Sequence, residues 1–142
     1  RKVLAAWDFT NAWADADLVL AADEDDPEIG GYRALAGSSD EGLFTLFEMC
    51  EWMPMVPKLN IVASAWANQR KYSAIAFAGD DRLPRTIGWA RRYLDVLREL
   101  GTGMVYGDDG YQGAKLSTEW AVTADAVRAA MRNGICCPSC TV

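Results

Sequence analysis

The sequence predicts an α/β domain, a three-layer α/β/α sandwich around a mostly parallel sheet. Three observations carry that expectation. Short unbroken apolar runs alternate with longer stretches of helical periodicity. Three of those runs stop abruptly at acids: Asp23-Glu24-Asp25-Asp26, Asp80-Asp81 and Asp108-Asp109. The 142 residues suit one domain, which at this size buries roughly 68–70% of the surface its unfolded chain exposes.

From Arg1 to about Ala14, apolar Val3, Leu4, Trp7 and Ala14 stand among polar residues, the pattern of an amphipathic helix. Leu18 to Ala22 is a short apolar run of the kind found in buried parallel strands. Asp26 as N-cap and Pro27 at the first helical position start a short helix toward Leu35, weakened by Gly30-Gly31, with a loop at Gly37-Ser38-Ser39. Leu43 to Cys50 is apolar enough for a strand, and Pro54 and Pro57 break any element directly after it. The spacing of Leu59, Ile61, Val62, Ala65 and Trp66 predicts a helix to about Gln69, and Tyr72 to Ala78 is the clearest buried strand. Thr86 caps a helix through Leu100, with Ile87, Ala90, Leu94, Leu97 and Leu100 inward and Gly101 at its end. Met104 to Tyr106 is a strand, Ala121-Val122 a further one, and Thr123 caps a last helix through Met131, ended by Gly134. Residues 1–134 form the domain and 135–142 a Cys-rich tail.

Composition excludes several classes. A chain that is 51% hydrophobic and 24% charged is neither disordered nor a coiled coil. Charges interrupt every apolar stretch, so no membrane span is expected. Fourteen basic against twenty acidic residues disfavour nucleic acid as a partner. With no histidine, His-based triads and His metal sites are excluded. The lack of an initiator Met and of a secretory signal, with Arg1 already in a helix, points to a trimmed N-terminus with an element missing ahead of it.

The chemistry is expected where strands end. In open α/β sheets ligands bind beyond the carboxyl ends of the strands, so parallel neighbours would gather all three acid groups on one rim. Two carboxylates about 4 Å apart, as in Asp80-Asp81, repel by ~4 kcal/mol at an effective dielectric near 20. Either Arg82 and Arg85 offset that, or a hard divalent cation does, Mg²⁺ or Mn²⁺ in an oxygen-only site. The two are compatible, because a cation with Arg82 or Arg85 beside it supplies positive charge for a diphosphate.

The stretches ADLVLAADEDDPEIGGY (16–32), IAFAGDDRLPRTIGWARRYLDVL (75–97) and TGMVYGDDGYQGAKLSTEWAVTADAVRA (102–129) resemble a glycosyltransferase of the GT-A type, the nucleotide-diphospho-sugar transferase fold. More narrowly they resemble the small glycosyltransferase-like proteins of bacteriophages and actinobacteria. The resemblance implies that Asp80 and Asp81 hold the metal that binds the diphosphate of a UDP- or GDP-sugar. It implies that Asp23, with Asp25 and Asp26 nearby, meets the nucleoside. Asp108 and Asp109 fall on the acceptor side, one of them the general base if the enzyme inverts, a role that lapses if it retains. The family's first strand, with its nucleotide-contacting loop, and its later acceptor-binding segment are absent from the sequence. The implied function is metal-dependent transfer of the sugar to a hydroxyl of a carbohydrate or protein acceptor, in the bacterial (if phage-encoded, host) cytoplasm. The alternative is a catalytically inactive structural or interaction module of the same fold, such as a component of a phage particle, and a third reading is a metal-dependent phosphotransferase or nucleotide hydrolase.

The remaining features carry less. Cys137 and Cys140 have CxxC spacing, with Cys136 adjacent and Cys50 far upstream. A tail of mostly free thiols is the expectation, against a zinc half-site, a redox pair or a tail disulfide. Trp7, Trp66 and Trp89 are expected in helix packing, while Trp52 and Trp120 are candidates to line an acceptor site, with packing the expected role. Tyr111 and Gln112, in the Gly110–Gly113 turn, are the acceptor-loop candidates. Arg91, Arg92 and Arg98, with Arg85, form a solvated helix face.

Overall fold

The amphipathic first segment forms α1 (Lys2–Thr10), then breaks at Asn11, whose left-handed φ of 56° no regular helix accommodates, and resumes as one turn of 3-10 helix, η1 (Ala12–Ala14). The computed structural model describes residues 2–38, 44–50, 52–79, 82–108, 110–111 and 119–132. After η1 the order is β1 (Leu18–Asp23), α2 (Ile29–Ser38), β2 (Phe44–Met49), α3 (Met55–Ala67), β3 (Ala74–Phe77), α4 (Trp89–Leu100), β4 (Met104–Tyr106), β5 (Trp120–Thr123) and α5 (Ala124–Arg132). No helix among the described residues is long and apolar enough to cross a membrane.

The α/β class is as expected, whereas the mostly parallel sheet is not. β1 and β2 pair in parallel, Leu18 opposite Phe44 through Asp23 opposite Met49, with α2 as their crossover. The other three strands form a separate sheet of order β3-β5-β4, in which β5 runs against both neighbours. Apolar runs report which faces are buried, not strand direction, so a strand such as Trp120–Thr123 reads alike either way.

The two sheets are joined by side chains and by a shared helix. Asp17, just before β1, accepts hydrogen bonds from the Tyr72 hydroxyl (2.6 Å) and Lys71 Nζ (3.2 Å), just before β3. α3 packs on both β1 and β3. It begins at the carboxyl end of β1, where Lys58 meets Asp23, and returns the chain to the amino end, so β1 and β3 run in the same sense. Over the second sheet α3 and α5 bury Ala63, Ala67, Ala124 and Val127 against Ile75, Phe77, Val122 and Met131. Arg128 of α5 donates to the Ala67 carbonyl, satisfying an end group of α3. The Thr123 hydroxyl accepts Ala126 N (3.4 Å), the expected cap of α5.

Several boundaries differ for local reasons. α2 runs through Gly30, Gly31 and Gly37, where the sequence predicts a weakened helix and then a loop, but it buries no residue fully and is held to β2 by the fork of Arg33 on Glu48. That guanidinium holds the Glu48 carboxyl below its ordinary range. Pro54 and Pro57 begin α3 rather than break it: Pro54 is its N-cap, and Pro57 falls in the first turn, where an N–H has no intrahelical partner. α4 starts later than expected, capped by Gly88 in the left-handed region (φ 68°), not by a Thr86 side chain. Ala90 and Leu97 are buried, but Ile87 and Leu100 of the expected inner face are exposed. The end expected at Gly134 lies outside the described residues.

Candidate functional site

β1 ends at Asp23 and runs into the acids Glu24, Asp25 and Asp26. Among Asp23 to Asp26 the structure separates the roles. Asp23 closes β1 with a side chain only 16% exposed, and its Oδ2 accepts from Lys58 Nζ at 2.6 Å. Its Oδ1 is buried with no hydrogen-bond partner among the described residues. Glu24 N donates to the Met49 carbonyl (3.0 Å), extending the β1–β2 ladder past the last strand residue. Asp25 is exposed, and Asp26 accepts Glu28 N on Oδ1 (2.8 Å) and Ile29 N on its carbonyl (3.0 Å). Asp26 therefore makes the turn into α2, and Asp23 alone has acceptor capacity left in a buried position.

The second part of the rim is built from β3, β4 and β5. Arg82 N donates to the Gly79 carbonyl (3.1 Å), and Arg82 Nε lies 3.8 Å from Glu119 Oε1. Gly107 N donates to the Glu119 carbonyl (3.4 Å), so the exits of β3 and β4 and the entry to β5 meet. Phe77 and Trp120, opposite each other in the β3–β5 register, stack with ring centroids 4.3 Å apart. Asp108 is exposed, and its Oδ1 accepts Gly110 N (2.8 Å), an Asx turn. Tyr111 is almost fully exposed.

Asp80, Asp81, Asp109 and Gln112 lie outside the described residues, as do Cys136, Cys137 and Cys140. Arg85 is exposed, ahead of α4 rather than on it, while Arg91 pairs with Asp15 and Arg98 with Asp95. The Cys50 thiol is free and exposed. Among the described residues no group of three or more His, Cys, Asp or Glu stands together to hold a metal ion. Asp23 is neutralised by an ammonium and Asp108 accepts a backbone N–H, so the described acids do not by themselves fit a divalent ion. No family model, curated protein or solved structure matches the chain.

Two residues of the candidate site escaped sequence reasoning. Lys58 sits in the first turn of α3, where a cation opposes the helix dipole, and that misplacement was the available signal of a partner elsewhere. Glu119, next to β5, gave no signal, because nothing in the spacing tells which strand β5 adjoins. Trp7 packs on Trp13 and Trp89, Trp66 on Phe47, and Trp120 on Phe77, as expected, whereas Trp52, also expected to pack, is exposed.

Tyr93 of α4 stands under Gly107, so close that a Cβ there would lie 2.6 Å from its hydroxyl. Burial pushes the Tyr93 phenol above its ordinary value of 10.0, Glu119 adds to the rise, and the Gly107 backbone opposes it. Burial raises Tyr72 likewise, reinforced by Asp17. The folded chain thus keeps phenolic protons that the unfolded chain gives up. Stability is then full below about pH 10 and declines as pH rises through the raised values. Urea midpoints taken from about pH 8.5 to about pH 11 should fall, and Tyr93→Phe should flatten the fall. A pH-independent midpoint in the parent would contradict this.

Proposed function

We propose that this chain is a nucleotide-sugar-binding domain of the GT-A type that transfers a sugar from a nucleoside diphosphate to an acceptor hydroxyl. The observation that carries the reading is Asp23: one carboxylate oxygen fixed by Lys58, the other buried and without a partner among the described residues, at the carboxyl end of a parallel strand. A buried acceptor left empty costs about 1–3 kcal/mol, so a ligand hydroxyl or N–H that fills it is bound with that much in its favour. A ribose hydroxyl or a base N–H is such a donor. The crevice beyond the strand ends is where open α/β sheets place ligands.

In this reading Asp80 and Asp81 hold a Mn²⁺ or Mg²⁺ ion, which supplies positive charge toward the departing diphosphate. Arg82, already at the rim beside Glu119, adds a second positive group. The acceptor hydroxyl oxygen forms a bond to the anomeric carbon as the bond to the diphosphate oxygen breaks, and the nucleoside diphosphate leaves with the electron pair. In an inverting reaction Asp108 or Asp109 takes the hydroxyl proton. Exposed Tyr111 stands on the acceptor side.

Titration calorimetry with UDP and with GDP, each with and without Mn²⁺, tests the reading. One nucleotide should bind in a Mn²⁺-dependent manner, and Asp80→Ala should remove the dependence. Asp23→Asn should weaken binding by about 10–100-fold, the loss of a hydrogen bond to a charged acceptor. No binding of either nucleotide with Mn²⁺ present would overturn it.

A further inference from the structure

We propose that Trp52 is the platform on which the base of the bound nucleotide stacks, and that its two-ring indole selects a purine, hence a guanine over a uracil nucleotide. The inference rests on the nucleotide-sugar reading and narrows it to one base. Among the described residues the other five tryptophans each pack on an aromatic ring: Trp7 with Trp13 and Trp89, Trp66 with Phe47, and Trp120 with Phe77. Trp52 instead leaves 74% of its surface to solvent, and Met55, three residues on, leaves 69%. Large apolar side chains kept in water close to one another in the chain mark a binding surface.

The chain on both sides of Trp52 is anchored at Asp23. Before it, Met49 is the β2 partner of Asp23, and its carbonyl accepts Glu24 N at 3.0 Å. After it, Lys58 N donates to the Pro54 carbonyl (3.2 Å), closing the first turn of α3, and Lys58 Nζ holds Asp23 at 2.6 Å. At no more than about 3.6 Å per residue, the Trp52 main chain lies within roughly 11 Å of Met49 and 7 Å of Pro54. That is short enough for the indole and a base held at Asp23 to overlap.

Topology separates the base from the acceptor. Asp108 and Tyr111 follow β4 of the second sheet, whereas Trp52 follows β2, the parallel partner of β1. The indole therefore belongs with the nucleoside. Asp23 and Lys58 do not tell the two bases apart, since guanine and uracil both present a ring N–H beside a carbonyl. The ring beneath them does. Stacking of a base on an aromatic side chain is worth about 5–100-fold in affinity. It grows with the overlap of the two faces, and a purine lays two fused rings on the indole where a pyrimidine lays one.

Titration calorimetry of GDP and of UDP in the presence of Mn²⁺, on the parent, Trp52→Ala and Trp52→Phe, tests this. The parent should bind GDP at least about fivefold tighter than UDP. Trp52→Ala should weaken GDP by about 10–100-fold and bring the two nucleotides within about twofold of each other, with Trp52→Phe between. An exposed side chain carries little of the fold, so the thermal midpoints should agree. GDP should quench the indole fluorescence of the parent and not that of Trp52→Ala. UDP bound as tightly as GDP, or a preference unchanged in Trp52→Ala, would overturn the inference and leave the nucleotide-sugar reading standing. An unchanged preference together with self-association that Trp52→Ala abolishes would assign the indole to a second copy of the chain. Binding of neither nucleotide by the parent would remove both readings.

Discussion

Replacing Lys58 by methionine is expected to lower folding stability by about 3 kcal/mol, read as a lower urea midpoint at unchanged slope. Methionine keeps most of the stem volume of lysine, so the loss isolates the charge. Asp23 and Lys58 have side chains 16% and 15% exposed, and removing the ammonium leaves a carboxylate in a desolvated position with neither oxygen paired. The double variant Asp23→Asn/Lys58→Met should recover most of the loss, because an amide carries no charge to strand. Surface pairs set the contrast. Arg98 and Asp95, both more than half exposed, should differ from their alanine variants by well under about 1 kcal/mol. A Lys58→Met protein within about 0.5 kcal/mol of the parent would mean that water reaches Asp23, and the nucleoside assignment would fall with it.

Trp7→Ala should cost about 3–4 kcal/mol. Trp7 is 8% exposed and is the centre of a ring cluster, 4.8 Å from Trp13 and 5.7 Å from Trp89 between centroids. That cluster joins α1 to α4, supported by a backbone bond from Gly88 N to the Thr10 carbonyl (2.9 Å). Truncation removes a large apolar surface and two ring contacts, and the surrounding side chains relax only partly into the space left. Trp7→Phe should lose less than half as much. The α1 amides should lose protection before the rest of the domain unfolds, because the indole stack is their main tether. A loss under about 1 kcal/mol for Trp7→Ala would show that α1 is held by something other than that stack.

Element type was legible from residue pattern, and element partnership was not. The runs at 18–22 and 104–106 and the helical spacing over 59–69 and from Thr86 to Leu100 correspond to real elements, although β1 fully buries only Ala22 and β4 buries no residue. Sheet topology failed to read out because Ile75 meets Val122 across an antiparallel ladder, a pairing of residues far apart in sequence. Pro57 misled for a different reason: a proline breaks a helix interior but is neutral in its first turn, and only the position of the cap decides between them. At the candidate site, the acid run was readable as the end of β1. The use of Asp26 at the entry to α2 was legible too, whereas the hold of Lys58 on Asp23 depended on where α3 begins.

Gly107 and the Tyr93 hydroxyl meet with no clearance for an additional carbon. Such a fit makes the two positions a single mutable unit. A side chain at 107 is accommodated only if the Tyr93 hydroxyl shifts or is removed. Substitution libraries at these positions should therefore be enriched in pairs that combine a side chain at 107 with loss of the hydroxyl at 93.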